Sequence, residues 1–204
     1  LEVKHGEFDR TELYAHRRFV EPMLEYILDD FATSRRTLGD DSIGAMVICD
    51  SSEQAREMFR RFQARIRPVE DSDGALLAAE NPSEDTASDN EELSGALVLY
   101  DSGSKGDRKD WVAEYKEGKL NILFVYNMLL TGFDAPRLKK LYLGRVVKSH
   151  NLLQALTRVN RPYGTFRHGY VVDFADIKKE FEKTNQRYLK ELQEELGDEI
   201  DTYS

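Results

Sequence analysis

The sequence predicts an α/β fold, a parallel sheet with flanking helices. Three observations carry that prediction. Five short apolar runs recur near positions 44, 96, 121, 141 and 170. Segments between them repeat apolar residues at helical spacing. Turn-forming residues separate the two kinds of segment. Strands that alternate with helices imply a parallel sheet with right-handed crossovers. The chain shows no internal repeat.

Residues 1–8 carry no strong pattern. From Asp9 to Arg36 the apolar positions Val20, Leu24, Ile27, Leu28 and Phe31 keep a helical period. Pro22 is expected in the first turn of a helix, or at a break between two. Arg35 and Arg36 suit the negative end of a helix dipole. Ile43-Gly44-Ala45-Met46-Val47-Ile48-Cys49 reads as a buried strand, and Asp50-Ser51-Ser52 after it as a helix N-cap cluster. Glu53 to Arg67 reads as a helix with Ala55, Met58, Phe59, Phe62 and Ile66 inward.

Residues 68–95 read as an acidic, Ser/Asn/Asp-rich insertion with too little apolar area to offset ordering. One helical turn is possible at Ala75-Leu76-Leu77-Ala78-Ala79. Gly95-Ala96-Leu97-Val98-Leu99-Tyr100 is the second strand, and Asp101-Ser102-Gly103-Ser104-Lys105-Gly106 a loop long enough to reach a ligand. Gly103, Lys105 and Gly106 make only a weak phosphate-loop signal, because the pattern G-x-x-x-x-G-K-[ST] occurs nowhere in the chain. Asp110 to Lys116 reads as a helix with Trp111 and Tyr115 on one side.

The rest of the chain is organised around residues 121–162. Asn121-Ile122-Leu123-Phe124-Val125 is a strand. Thr131-Gly132-Phe133-Asp134-Ala135-Pro136 follows it, at the position where an open α/β sheet binds ligands. Leu141-Tyr142-Leu143 is the next strand, and His150 to Arg161 a helix closed by Pro162. On that helix Leu152, Leu153, Leu156 and Val159 share one face. Gln154, Arg158 and Arg161 share the opposite face. Such a face can simply meet solvent. It can also meet a polyphosphate, because the guanidinium fork is rigid, charged and bidentate. Gly169-Tyr170-Val171-Val172-Asp173-Phe174 is the last strand. Ile177 to Leu196 reads as a helix with Phe181, Tyr188, Leu189 and Leu192 on its packing stripe.

Composition narrows the classes. Of 204 residues, 40% are hydrophobic and 33% charged, which suits a soluble domain. No run approaches the roughly 20 apolar residues of a membrane span, and the first residues form no signal peptide. The chain starts without Met, so it is expected to be a piece of a longer one. The single cysteine, Cys49, allows no intrachain disulfide and fits a reducing cytoplasm. His5, His16, His150 and His168 are scattered, so no metal site is expected. Net charge is −9, but ten carboxylates and no Lys or Arg fall between Pro68 and Ser104; the remainder carries +1. Bulk acidity therefore leaves room for local contacts with phosphate.

Thr131-Gly132-Phe133-Asp134 and Gln154-x-x-x-Arg158-x-x-Arg161 resemble the fifth and sixth motifs of superfamily-two helicases. The longer strings are narrower. Met128 to Pro136, His150 to Ala155 and Thr157 to Pro162 are similar to the motor of type I restriction enzyme R subunits. The resemblance spans roughly Ile43 to Phe174, and Arg17 to Leu38 is similar to the helix before that domain. It implies a second RecA-like domain that lacks the Walker A loop, with boundaries at 39–175. Residues 1–38 would then be a helical lead-in and 176–204 a helix toward the next domain.

By this resemblance ATP and Mg²⁺ are held mainly by a first RecA-like domain elsewhere in the parent. Arg158 and Arg161 would approach the triphosphate across the cleft, and Gln154 would orient water or a phosphate oxygen. Gly132 and Asp134 would meet the ribose side. Thr131, Ser51 and Lys105 would touch the backbone of double-stranded DNA; Ser51 is equally an ordinary helix cap. Methylation and specificity subunits would be partners, the setting cytoplasmic, and the isolated chain inactive. The family usually has Asp where this chain has Asn127, so an acidic role there is in doubt. No P-D…(D/E)-x-K nuclease cluster appears. Two other readings remain open: the second motor domain of another superfamily-two helicase or type III restriction enzyme, and a non-catalytic module that docks a partner through the Gln154-Arg158-Arg161 face.

Overall fold

A computed structural model describes residues 10–66, 93–129, 133–147 and 149–175 of the chain. The expected turn at 75–79, most of the acidic insertion, Thr131, Gly132 and the helix at 177–196 lie outside the described residues. In chain order the elements are α1 (Arg10–Ala15), α2 (Arg17–Leu38), β1 (Gly44–Ile48), α3 (Ser52–Ile66), β2 (Gly95–Val98), α4 (Lys105–Glu117), β3 (Ile122–Val125), β4 (Leu138–Leu143), α5 (Ser149–Val159) and β5 (Tyr170–Asp173).

The five strands form one sheet in the order β2-β3-β1-β4-β5, with every pairing parallel. This is the α/β parallel sheet that the apolar runs predict. Side chains alternate across it. Ala45, Val47, Ile122, Phe124 and Tyr142 face a core shared with Val20, Leu24, Ile27 and Phe31 of α2 and Met58 and Phe62 of α3. Met46, Ile48, Leu123, Val125, Leu141 and Leu143 face a second core with Tyr115 of α4 and Leu152, Ala155 and Val159 of α5. The sheet is thus a middle layer, and α2 packs in the same core as β1, β3 and β4 rather than apart from them.

Three local expectations are corrected. The break between α1 and α2 falls at His16, whose side chain accepts from the Arg18 N–H as an N-cap. Pro22 lies inside α2, beyond the first turn. The loop after β2 is shorter than read, because Ser104 and Asp107 form a capping box that starts α4 at Lys105. Strand β4 begins at Leu138, three residues early, and includes the buried Lys139 and Lys140.

Between α2 and α3, Glu21 pairs with Arg17 (2.8 Å) and Arg61 (3.2 Å), and Glu57 with Arg60 (2.8 Å) and Arg61 (2.6 Å). Hydrogen bonding from Arg17 holds the Glu21 carboxyl below its ordinary pKa. Arg60, then Arg61, does the same for Glu57 against the opposing effect of burial. A carboxylate with a lowered folded pKa contributes stability above its unfolded value, about 4.3, and loses it as pH falls through the folded value. Urea unfolding between about pH 5 and about pH 3 is therefore expected to show falling stability, with a shallower fall in Glu57→Gln. Identical pH slopes in the two proteins would rule this out.

Candidate functional site

Helix α5 buries Leu152, Ala155 and Val159, with Leu153 and Leu156 half-buried. The helix stops at Val159, two residues before Arg161. The residue before a proline is pushed away from helical backbone, and Pro162 acts on Arg161 in this way. Arg161 therefore sits in the turn after α5, where its N–H points back to the Arg158 carbonyl at 3.5 Å.

The turn still brings three of the expected residues into one cluster with Asp134. The Arg158 Nη1 donates to the carbonyl of Phe133, and its Nε donates to the Gln154 carbonyl at 3.2 Å. Arg161 forms an ion pair with Asp134. Phe133 is itself buried and packs 5.9 Å from the Tyr115 ring, which anchors the segment. Burial first, and the charge of Arg161 second, lower the pKa of Arg158; Asp134 opposes them. Arg158 stays a cation all the same, because guanidinium deprotonates only far above neutral pH. The arrangement is two adjacent guanidinium groups at the rim of the domain, one half-buried, the other held by an exposed carboxylate.

This cluster lies at the amino end of β4, not at the carboxyl ends where the strand-loop pattern places a ligand. Among the described residues no helix separates β3 from β4, and Phe133 and Asp134 already belong to the approach to β4. Leu138 N–H donates to the Ala135 carbonyl (3.0 Å) and closes that approach. Ser51 and Lys105 sit instead beyond the carboxyl ends of β1 and β2. Ser51 is buried, and its hydroxyl accepts from the Gln54 N–H at 3.0 Å, so it caps α3. Lys105 is exposed in the first turn of α4.

Four basic residues escaped the sequence reading. Lys139 and Lys140 interrupt the apolar run that marks β4, and the surrounding charges hid the strand's beginning. Arg137 is buried and donates to the carbonyls of Ser42 (2.8 Å), Tyr115 (2.6 Å) and Leu120 (2.5 Å). Arg145 follows β4 at its carboxyl end. It donates to Asn127 Oδ1 (2.8 Å) and the Tyr126 carbonyl (3.1 Å) and lies 4.8 Å from the Tyr126 ring. Asn127 thus serves here as a neutral acceptor. Among the described residues no three His, Cys, Asp or Glu side chains converge on a possible metal position. Among them, too, no helix is long and apolar enough to cross a membrane.

Residues 41–176 match the family described as type I restriction enzyme subunit R domain 3. The chain belongs to this family. Among curated relatives, a Methanocaldococcus jannaschii chain named as the type I restriction enzyme MjaVIIP endonuclease subunit is 45% identical over 79 residues, which cover 39% of this chain and 7% of that one. The type I restriction enzyme HindI endonuclease subunit of Haemophilus influenzae is 36% identical over 90 residues, covering 42% and 8%. The R-subunit domain thus spans less than a tenth of the length of these relatives. Among solved structures, the Pyrococcus furiosus Hef helicase domain is similar with a TM-score of 0.49 and 11% identity, over 81% of this chain and 28% of that one. Both curated relatives are named as endonuclease subunits.

Proposed function

We propose that this R-subunit domain is the second RecA-like half of an ATP-driven motor on double-stranded DNA. It supplies Arg158 and Arg161 to a nucleotide bound on a first RecA-like domain of the same parent. The carrying observation is the cluster of two guanidinium groups and Asp134 at the rim of the sheet. Charge that develops on a transferring phosphoryl group is stabilised by such fixed cations, and little covalent chemistry is asked of the protein.

Each residue has a distinct task. Arg158, braced on the Phe133 and Gln154 carbonyls, is the fixed cation. Arg161 is the exchangeable one. Its side chain is 47% exposed and that of Asp134 58%, and an ion pair so wet is worth at most about 1 kcal/mol. A phosphate oxygen can replace Asp134, which is then free to accept from a ribose hydroxyl, a role proposed for it together with Gly132. Gln154 orients water or a phosphate oxygen. Mg²⁺, which bridges phosphate oxygens in such reactions, would take its protein ligands from the first domain. Lys105 is the described residue free to meet the DNA backbone, with Thr131 as a further proposed contact, while Ser51 is the cap of α3; contacts to phosphate make the motion independent of sequence. Nucleotide-driven closure and release of the two domains would then step the motor along the duplex. The whole works in the cytoplasm with the methylation and specificity subunits.

The test is ATP turnover by the uninterrupted R subunit and by the isolated 204-residue chain. Turnover stimulated by duplex DNA in the former and none in the latter is expected. Turnover by the isolated chain would refute the shared site. Turnover by the parent that ignores DNA would turn the reading toward a partner-docking module.

A further inference from the structure

Strand β4 is buried at every position, so an apolar residue is its ordinary occupant. Lys139 departs from that rule with a side chain that is 0% exposed. The pairing of β1 with β4 shifts between Gly44↔Leu138 and Ala45↔Lys140, which leaves Lys139 as the extra residue of a β-bulge. Bulges re-aim side chains and recur beside functional sites. Here the bulge sends the Lys139 ammonium under the end of α5, where it donates to the carbonyls of Val159 (3.2 Å) and Arg161.

Those carbonyls have no partner within the helix. Helices α2 and α4 solve the same problem with left-handed glycines, Gly39 and Gly118. After α5 the chain reads Asn160-Arg161-Pro162 and offers no glycine until Gly164. A buried cation takes the place of the glycine cap, at the negative end of the helix dipole. Among the described residues Lys139 forms no ion pair, and burial lowers its pKa. A buried, unpaired ammonium is costly; at this position the carbonyls alone offset the cost. Gly169, beside Lys139, presses against the same turn. A Cβ there would stand 2.1 Å from Val159 Cγ1 and 2.5 Å from the Val159 carbonyl oxygen. The end of α5, between the two arginines, therefore rests on Lys139 and Gly169 together.

We propose that Lys139 is a positioning residue for Arg158 and Arg161: from its bulge it fixes the end of α5 so that both guanidinium groups meet the nucleotide. This rests on the function proposed above.

The experiment measures DNA-stimulated ATP turnover of the full R subunit with Lys139→Met, Lys139→Gln, Arg158→Ala and the Lys139/Arg158 double variants. Displacing a catalytic group by about 1 Å costs on the order of 100-fold. Lys139→Met is expected to lower kcat by about that factor while KM for ATP moves by less than about threefold. Lys139→Gln, which keeps a neutral donor, loses less. In the Arg158→Ala background the Lys139 changes lower kcat by a smaller factor than in wild type, because only Arg161 is left to position. If Lys139→Met does not fold, Lys139→Gln carries the same comparison. Full additivity with Arg158→Ala would show a purely structural lysine and overturn the proposal. So would turnover of both Lys139 variants within about twofold of wild type while Arg158→Ala collapses. Normal turnover in Arg158→Ala would remove the arginine reading itself, and this proposal with it.

Discussion

Arg158→Ala in the full R subunit is expected to lower DNA-stimulated ATP turnover by about 10³-fold or more, with nucleotide affinity largely kept. The magnitude is that of an arginine that stabilises charge on a transferring phosphoryl group, 10³–10⁵ in kcat by analogy with better-known phosphoryl-transfer sites. The side chain has three features of such a group. It is half-buried, so its field is weakly screened. Two carbonyls of its own domain brace it, so little reorganisation is needed at the moment of reaction. It stands beside a second guanidinium, Arg161, which can let go of Asp134. Affinity is expected to survive because, in the proposed function, the rest of the nucleotide is held by the other domain. Single-turnover kinetics and equilibrium nucleotide binding on the same preparation separate the two quantities. A variant with wild-type turnover, or one that simply loses nucleotide, would defeat the assignment.

Asp30→Ala is expected to destabilise the fold by about 3 kcal/mol. Asp30, on α2, pairs with Lys140 Nζ at 2.6 Å and accepts from the Tyr142 hydroxyl at 2.8 Å. The Lys140 side chain is only 6% exposed, and its ammonium lies 5.7 Å from the Tyr142 ring and 5.5 Å from the Tyr170 ring. Removing the carboxylate leaves a buried cation with aromatic faces and no counter-charge, which costs about 3–5 kcal/mol in buried pairs. The lower end applies because Asp30 itself is 26% exposed and water can reach the gap. Total stability of a domain is about 5–15 kcal/mol, so the shift in urea midpoint should be plain, with an unchanged m value. Lys140→Met in the same background should recover part of the loss, since the stranded charge is then gone. A shift below about 0.5 kcal/mol would mean that α2 is not tied to the sheet through this pair. The prediction bears on organisation too: α2 falls in the lead-in, before the expected boundary at residue 39, yet its loss should weaken the whole sheet.

Much of the fold was legible because short apolar runs announce strands, the buried β1 and β3 and the more exposed β5 alike. The runs at 44, 96, 121 and 170 are almost purely apolar, and each is a strand. The exception is instructive. Leu138-Lys139-Lys140 looks like solvent-exposed chain, and only the third dimension supplies what makes it buried strand: the end of α5 for one ammonium, Asp30 for the other. A lysine's partners can be distant in sequence, so no local pattern reveals whether its charge will be buried.

The site divides in the same way. The sequence alone determined that Gln154, Arg158 and Arg161 would gather on one side of an amphipathic segment, and that Asp134 would fall between two strands. Those facts follow from helical spacing and turn chemistry, which act over a few residues. Tertiary structure alone decided that Asp134 meets Arg161 and that the Phe133 carbonyl meets Arg158. It also decided that both pairs lie at the amino end of β4 and that Lys139 closes the helix beneath them. These contacts join residues about twenty positions apart or more, and they depend on the register of β4, where one bulged residue redirects a side chain. Register comes from the packing of the whole sheet, which is why no stretch of this chain could disclose it.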